Sequence, residues 1–156
     1  MRTNTWLSLA AVSLALLGCA YFQPDGGPGG PGPRKHVDKE CKRNNCTIQV
    51  TVTACASTGI SLQYPTVGVV SGETNVPIEW SINSNQYEFA DNGIVIKNDP
   101  NRVFINGGAS PNKKMFTWTD RNPAGDKTDY KYTVTVKPKN STTPCPSYDP
   151  IIVNDY

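Results

Sequence analysis

The sequence predicts an all-β protein, an antiparallel β-sandwich that follows a cleaved signal helix and a disordered linker. From Cys46 onward, apolar residues alternate with polar ones at a period of two, the spacing that fills one face of a strand. Clusters of Asn, Asp, Gly, Pro and Ser interrupt this alternation roughly every 8–12 residues, the cadence of short strands joined by turns. Beyond the first 18 residues, no segment repeats its apolar positions with a helical period.

The leader comes first. Arg2 is the only side-chain charge in the first 24 residues, and Trp6 to Leu17 (WLSLAAVSLALL) is a 12-residue apolar run. A membrane-crossing helix needs about 20 such residues, so this run has the length of a signal-peptide core. It ends Leu16-Leu17-Gly18-Cys19, with Ala20 next. That ending resembles the lipobox of bacterial lipoproteins. The resemblance implies cleavage before Cys19, diacylglycerol on the Cys19 sulfur and acylation of the new amino terminus. Each buried CH₂ contributes about 0.8 kcal/mol, so three chains on one residue hold effectively permanently. Ala20 in place of Asp implies sorting to the outer membrane, with the protein facing the periplasm or the cell surface.

Residues 19–43 are then the lipidated terminus, a tether and a basic collar. Residues 24–33 read PDGGPGGPGP, five Gly and four Pro in ten. Such a stretch buries nothing and cannot offset its ordering entropy. The three collagen-like triplets it contains are too few for a triple helix. As a flexible spacer, Ala20 to Glu40 spans about 25 Å. Arg34, Lys35, Lys39, Lys42 and Arg43 follow, diluted by Asp38 and Glu40, and read as a solvated segment beside the membrane. The chain from Cys19 on carries 14 basic against 13 acidic residues, which excludes the broad basic surface of a nucleic-acid binder.

With Cys19 assigned to lipid, Cys41, Cys46, Cys55 and Cys145 remain, an even number that points to disulfides in an oxidising compartment. Cys46 and Cys55 bracket a strand that holds them about 30 Å apart, beyond disulfide reach. Cys41–Cys46 with Cys55–Cys145 is the favoured pairing; Cys41–Cys55 with Cys46–Cys145 stays open. A zinc site would need a second close pair of cysteines, which is missing.

The domain proper is assigned to residues 44–156. Its strands read TIQVTVTA (47–54), VPIEWSI (76–82), KMFTWT (114–119) and DYKYTVTVK (129–137), each alternating cleanly. Weaker runs are ISLQY (60–64), TVGVV (66–70), QYEFA (86–90), GIVIK (93–97), RVFIN (102–106) and IIVND (151–155). Asp91-Asn92-Gly93 reads as a tight hairpin turn between two of them. The stretch from Phe116 to Val136 resembles the late strands of an immunoglobulin-like sandwich. The resemblance implies a tyrosine corner at Tyr130 or Tyr132.

Few residues suggest chemistry. His36, the one histidine, precedes the domain, so a histidine-based nucleophilic or copper site is not expected. Glu79 and Glu88 sit on strands read as neighbours, the minimum for a glycosidase pair, but alternation turns Glu79 to solvent. Asp120, Asn122, Asp126 and Asp129 offer oxygens around a glycine, a weak calcium pattern that Pro123 interrupts. The reading is no enzyme, no metal and no cofactor. The expected function is a non-catalytic binding or envelope-structural lipoprotein with a protein or cell-envelope partner. The alternative is an inhibitor or immunity lipoprotein that blocks a cell-wall hydrolase. Loops 106–113 and 119–128 are the expected contact surfaces.

Overall fold

The computed structural model describes residues 35–56 and 58–156. The leader, Cys19, Ala20, the Gly/Pro tether and Arg34 lie outside the described residues. Ten strands follow in order: β1 (Lys39–Cys41), β2 (Thr47–Val52), β3 (Ile60–Leu62), β4 (Thr66–Val69), β5 (Val76–Ile82), β6 (Tyr87–Ile96), β7 (Phe104–Ala109), β8 (Met115–Asp120), β9 (Asp129–Pro138) and β10 (Ile151–Val153). They form two five-stranded sheets, β1-β4-β10-β9-β6 and β3-β2-β5-β8-β7. The inward rows are those the alternation marks. Ile48 and Val50 of β2, Ile78, Trp80 and Ile82 of β5, and Tyr130, Tyr132, Val134 and Val136 of β9 are all buried in one core.

The sheets are mixed, which corrects the antiparallel expectation. β1 and β10 both run parallel to β4, and β2 runs parallel to β5. The chain repeatedly leaves one sheet for the other, so each parallel pair joins strands that are not consecutive. Among the described residues, only β2–β3, β7–β8 and β9–β10 are antiparallel pairs of consecutive strands. An immunoglobulin-like topology is therefore not established.

The Asp91-Asn92-Gly93 turn is also absent. Residues 87–96 form the single strand β6, and both its halves pair with β9, with a register shift between Phe89 and Ile94. Asp91 and Asn92 are exposed within this bulge. A side chain at Gly93 would press within 2.7 Å of the Phe89 Cβ, so the bulge closes back on the strand.

The sheet begins earlier than residue 44. β1 lies in the segment read as tether and collar, and it is bound to the sheet through Lys39, Glu40 and Cys41 opposite Val67, Gly68 and Val69. Its three residues and the charges around them give no alternation long enough to read as a strand. Cys41 is bonded to Cys46 and Cys55 to Cys145. The first closes the crossing from β1 in one sheet to β2 in the other. The second joins the loop after β2 to the segment after β9.

Candidate functional site

Among the described residues, two of the regions that combine concavity with polar groups border the loops marked as contact surfaces. The first is the open side of the sandwich, where β6 and β7 are the edge strands of their sheets. A cleft of about 560 Å³ lies there, lined by Ile94, Val95, Phe104, Phe116, Trp118 and the backbone of Gly107 and Gly108, with Asp91 and Asn92 at its rim. Trp118 shapes it. Its ring lies where a Gly107 side chain would be, within 2.3 Å of a Cβ built there. Its Nε1 donates to the Ile94 carbonyl of β6 at 3.1 Å, tying the second sheet to the edge of the first. β7 accommodates the indole by a register shift between Ile105 and Gly108, with Asn106 at φ 57°. Val95 is 43% exposed, an apolar side chain left to solvent beside the cleft.

The second region is a polar knot at the end of β8. Asp120 is fully buried, and its Oδ1 accepts the Asn122 N–H at 2.7 Å and the Asn154 amide at 3.2 Å. The same Asn154 nitrogen donates to Asp126 Oδ2 at 3.2 Å, which also accepts the Tyr130 hydroxyl at 2.9 Å. The Asn122 amide donates to the Val70 and Glu73 carbonyls, and its Oδ1 accepts the Asp155 N–H at 3.1 Å. The knot therefore joins the turn after β4, the end of β8, the following loop and the C-terminal segment. A second cleft, of about 450 Å³, opens beside it between Asn101, Val103, Arg121, Pro123 and Asp126.

Burial sets the charge state here. It raises the Asp120 carboxyl to about 7, against partial opposition from the Asn122 and Asn154 donors, with Asp126 and Asp99 adding repulsion. Burial acts upward on Asp126 as well, but donors from Thr128, Tyr130 and Asn154 outweigh it and hold that carboxyl below its ordinary range. The Tyr130 hydroxyl is pushed up to about 12 by burial and by its bond to Asp126.

Several expected sites come apart. Asp129 turns away from the knot and pairs with Lys35 at 2.6 Å. Among the described residues, no three His, Cys, Asp or Glu side chains converge where a metal ion could be held. The knot's amide N–H groups occupy the space between its carboxylates. Asp120, Asn122 and Asp126 thus share one hydrogen-bonded network, and Asp129 lies outside it.

Glu79 and Glu88 lie in different sheets, not on neighbouring strands. Each alternates with inward residues of its own strand, so the two carboxylates project from opposite outer faces of the sandwich. Glu88 pairs instead with Lys137 at 2.6 Å, a bond that lowers its pKa. His36 is exposed ahead of β1. No tyrosine corner forms: Tyr130 binds the Asp126 side chain and Tyr132 accepts the Trp80 indole N–H. Part of the collar is docked rather than free. Lys39 reaches Asn45 and lies 5.3 Å from the Tyr64 ring centre, and Arg43 donates to the Thr74 carbonyl.

Of the loops marked as contact surfaces, 106–113 borders the first cleft and 119–128 the second. Asn154 was not foreseen. In the sequence it is one more residue of the strand run IIVND (151–155), and only the folded chain brings it against Asp120. The architecture and disulfides define a two-sheet β-sandwich domain stapled at two places. No protein-family model matches the chain, and no curated protein matches it.

Proposed function

We propose that this chain is a lipoprotein of the bacterial outer membrane, anchored through Cys19. Its stapled sandwich is a non-catalytic module for binding or for envelope structure. The observation that carries this reading is the partition of the cysteines. Four of the five bond to one another within the domain, and the fifth is Cys19, placed at Leu16-Leu17-Gly18-Cys19 behind an apolar core. Disulfides accord with an exported, oxidising setting. The cleft between β6 and β7, with Val95 beside it, is the surface on which a protein or envelope partner would dock.

Cells expressing the full chain, labelled with palmitate and fractionated, test the anchor. The chain should carry label and sediment with membranes. Cys19→Ser should lose the label and become soluble, and a Cys19→Ser chain that stays membrane-bound refutes the anchor. Capture from cross-linked envelopes, compared between the native chain and Val95→Lys, tests the docking face. A partner captured equally by both refutes that assignment.

A further inference from the structure

Among the described residues, Asp120 and Asn154 leave two buried oxygens without a partner, Asp120 Oδ2 and Asn154 Oδ1. An ionised carboxylate and an amide carbonyl both only accept, so neither can satisfy the other. The two groups already face one another, because the Asn154 nitrogen donates to the other oxygen of the same Asp120 carboxyl at 3.2 Å. One proton resolves both vacancies. We propose that Asp120 is protonated in the folded protein in mildly acidic surroundings and donates from Oδ2 to the Asn154 carbonyl, forming a carboxylic acid–amide pair that latches the segment 154–156.

The surroundings favour a proton over a metal cation. Calcium takes 6–8 oxygen ligands. Here Asp126 Oδ2 is already occupied by the Tyr130 hydroxyl and the Asn154 N–H, and Asn122 Oδ1 by the Asp155 N–H. The charged and titratable groups facing Asp120 are Asp126 from the loop after β8 and Asp99 from the turn before β7, and Tyr130 of β9 adds a hydroxyl to the same knot. Among the described residues no lysine or arginine forms an ion pair with Asp120. A buried carboxyl with acidic neighbours and no cation keeps its proton. The upward displacement of its titration to about 7 agrees.

The pair holds a defined element. Next to Asn154, Asp155 donates to Asn122, Tyr156 donates to the Val69 carbonyl, and Ser71 donates to the Tyr156 carbonyl. The Tyr156 side chain lies over Gly68, where an added Cβ would meet it at 2.8 Å. Loss of the Asp120 proton to solvent sets an anion against the Asn154 carbonyl dipole. The segment 154–156 then lifts from β4 while the sandwich persists. The latch is closed in mildly acidic surroundings and opens as pH rises through neutrality.

The full chain, carbon-13 labelled and held in detergent, tests this without any substitution. The Asp120 carboxyl carbon should titrate near pH 7. Amide exchange at Asp155 and Tyr156, corrected for its intrinsic pH dependence, should rise about tenfold between pH 6 and 8.5 relative to Ile152 and Val134. Asp120→Asn supplies a permanent N–H donor in place of the proton and should keep the exchange low throughout. A midpoint in the ordinary carboxylate range overturns the proposal. So does a midpoint that moves on adding calcium, which would mean a cation site, and so does exchange that stays flat while Asp120 titrates. If Asp120→Asn fails to fold, the titration and exchange of the native chain still decide.

Discussion

Trp80 and Tyr132 join the two sheets through the middle of the core. The indole Nε1 of Trp80 in β5 donates to the Tyr132 hydroxyl of β9 at 3.1 Å, with ring centres 5.2 Å apart and planes at 61°. Both side chains are fully buried, and among the described residues each is the other's only side-chain hydrogen-bond partner. Burial raises the Tyr132 phenol far above its ordinary range and keeps it protonated. Tyr132→Phe preserves the ring and strands the indole N–H. Leaving a buried donor unmet costs about 1–3 kcal/mol, so urea unfolding should show a loss of that size with an unchanged slope.

The two disulfides should differ in weight. Cys41–Cys46 spans 5 residues and Cys55–Cys145 spans 90. Closing a loop in the unfolded chain removes entropy that grows with the logarithm of loop length, giving about 2 kcal/mol for the short link and about 4.5 kcal/mol for the long one. Replacing both members of each pair by Ala, and comparing denaturation midpoints, should rank the Cys55/Cys145 variant as clearly the weaker.

Gly107 and Gly108 are adjacent and should respond oppositely. A Cβ at Gly107 falls 2.3 Å from the Trp118 ring, whereas one at Gly108 meets nothing within 4 Å. Gly107→Ala must displace the indole and break its bond to Ile94, at a cost of about 1–3 kcal/mol. Gly108→Ala should change stability by less than about 0.5 kcal/mol. Tryptophan emission reports the difference directly, shifting for the first variant and not for the second.

Stability should depend on pH in two opposing windows. Glu88, Asp91, Asp126 and Asp149 have lowered folded-state pKa values, so their contributions are present above their ordinary values of 4.5 and 3.8 and are lost as pH falls further. Asp120 is raised from 3.8 to about 7, so its contribution is complete below 3.8 and is lost as pH rises to about 7. Melting temperature should therefore peak between about pH 4 and 5 and decline toward pH 7. Asp120→Asn should abolish the decline on the alkaline side and leave the acid limb intact.

The alternation in 76–82 and 129–137 gave both the strands and their inward faces, because a half-buried strand must place apolar residues two apart. It carried no information about partners. Val67 of β4 lies between Lys39 and Ile152, strands from opposite ends of the chain, and nothing local to residues 66–69 records either neighbour. Asp91-Asn92-Gly93 has the composition of a turn, yet the same residues suit a bulge. The deciding factor is that Phe89 and Ile94 both find β9. The first cleft was only half legible. Loop 106–113 was marked, but the indole that shapes the cleft reads from sequence as one more inward residue of β8.

The Cys41–Cys46 link also fixes how the domain would bear a load. β1 is three residues long and is the edge strand of its sheet, with one neighbour. A pull on the chain ahead of Lys35 reaches the Lys35–Asp129 pair first and then the bonds of β1 to β4. Peeling can proceed no further than Cys41, where the strain passes covalently to Cys46 and, through β2, into the middle of the opposite sheet. The edge strand thus acts as a short fuse in front of a welded joint. Traction from the amino-terminal side would loosen the chain as far as Cys41 and leave the rest of the sandwich standing.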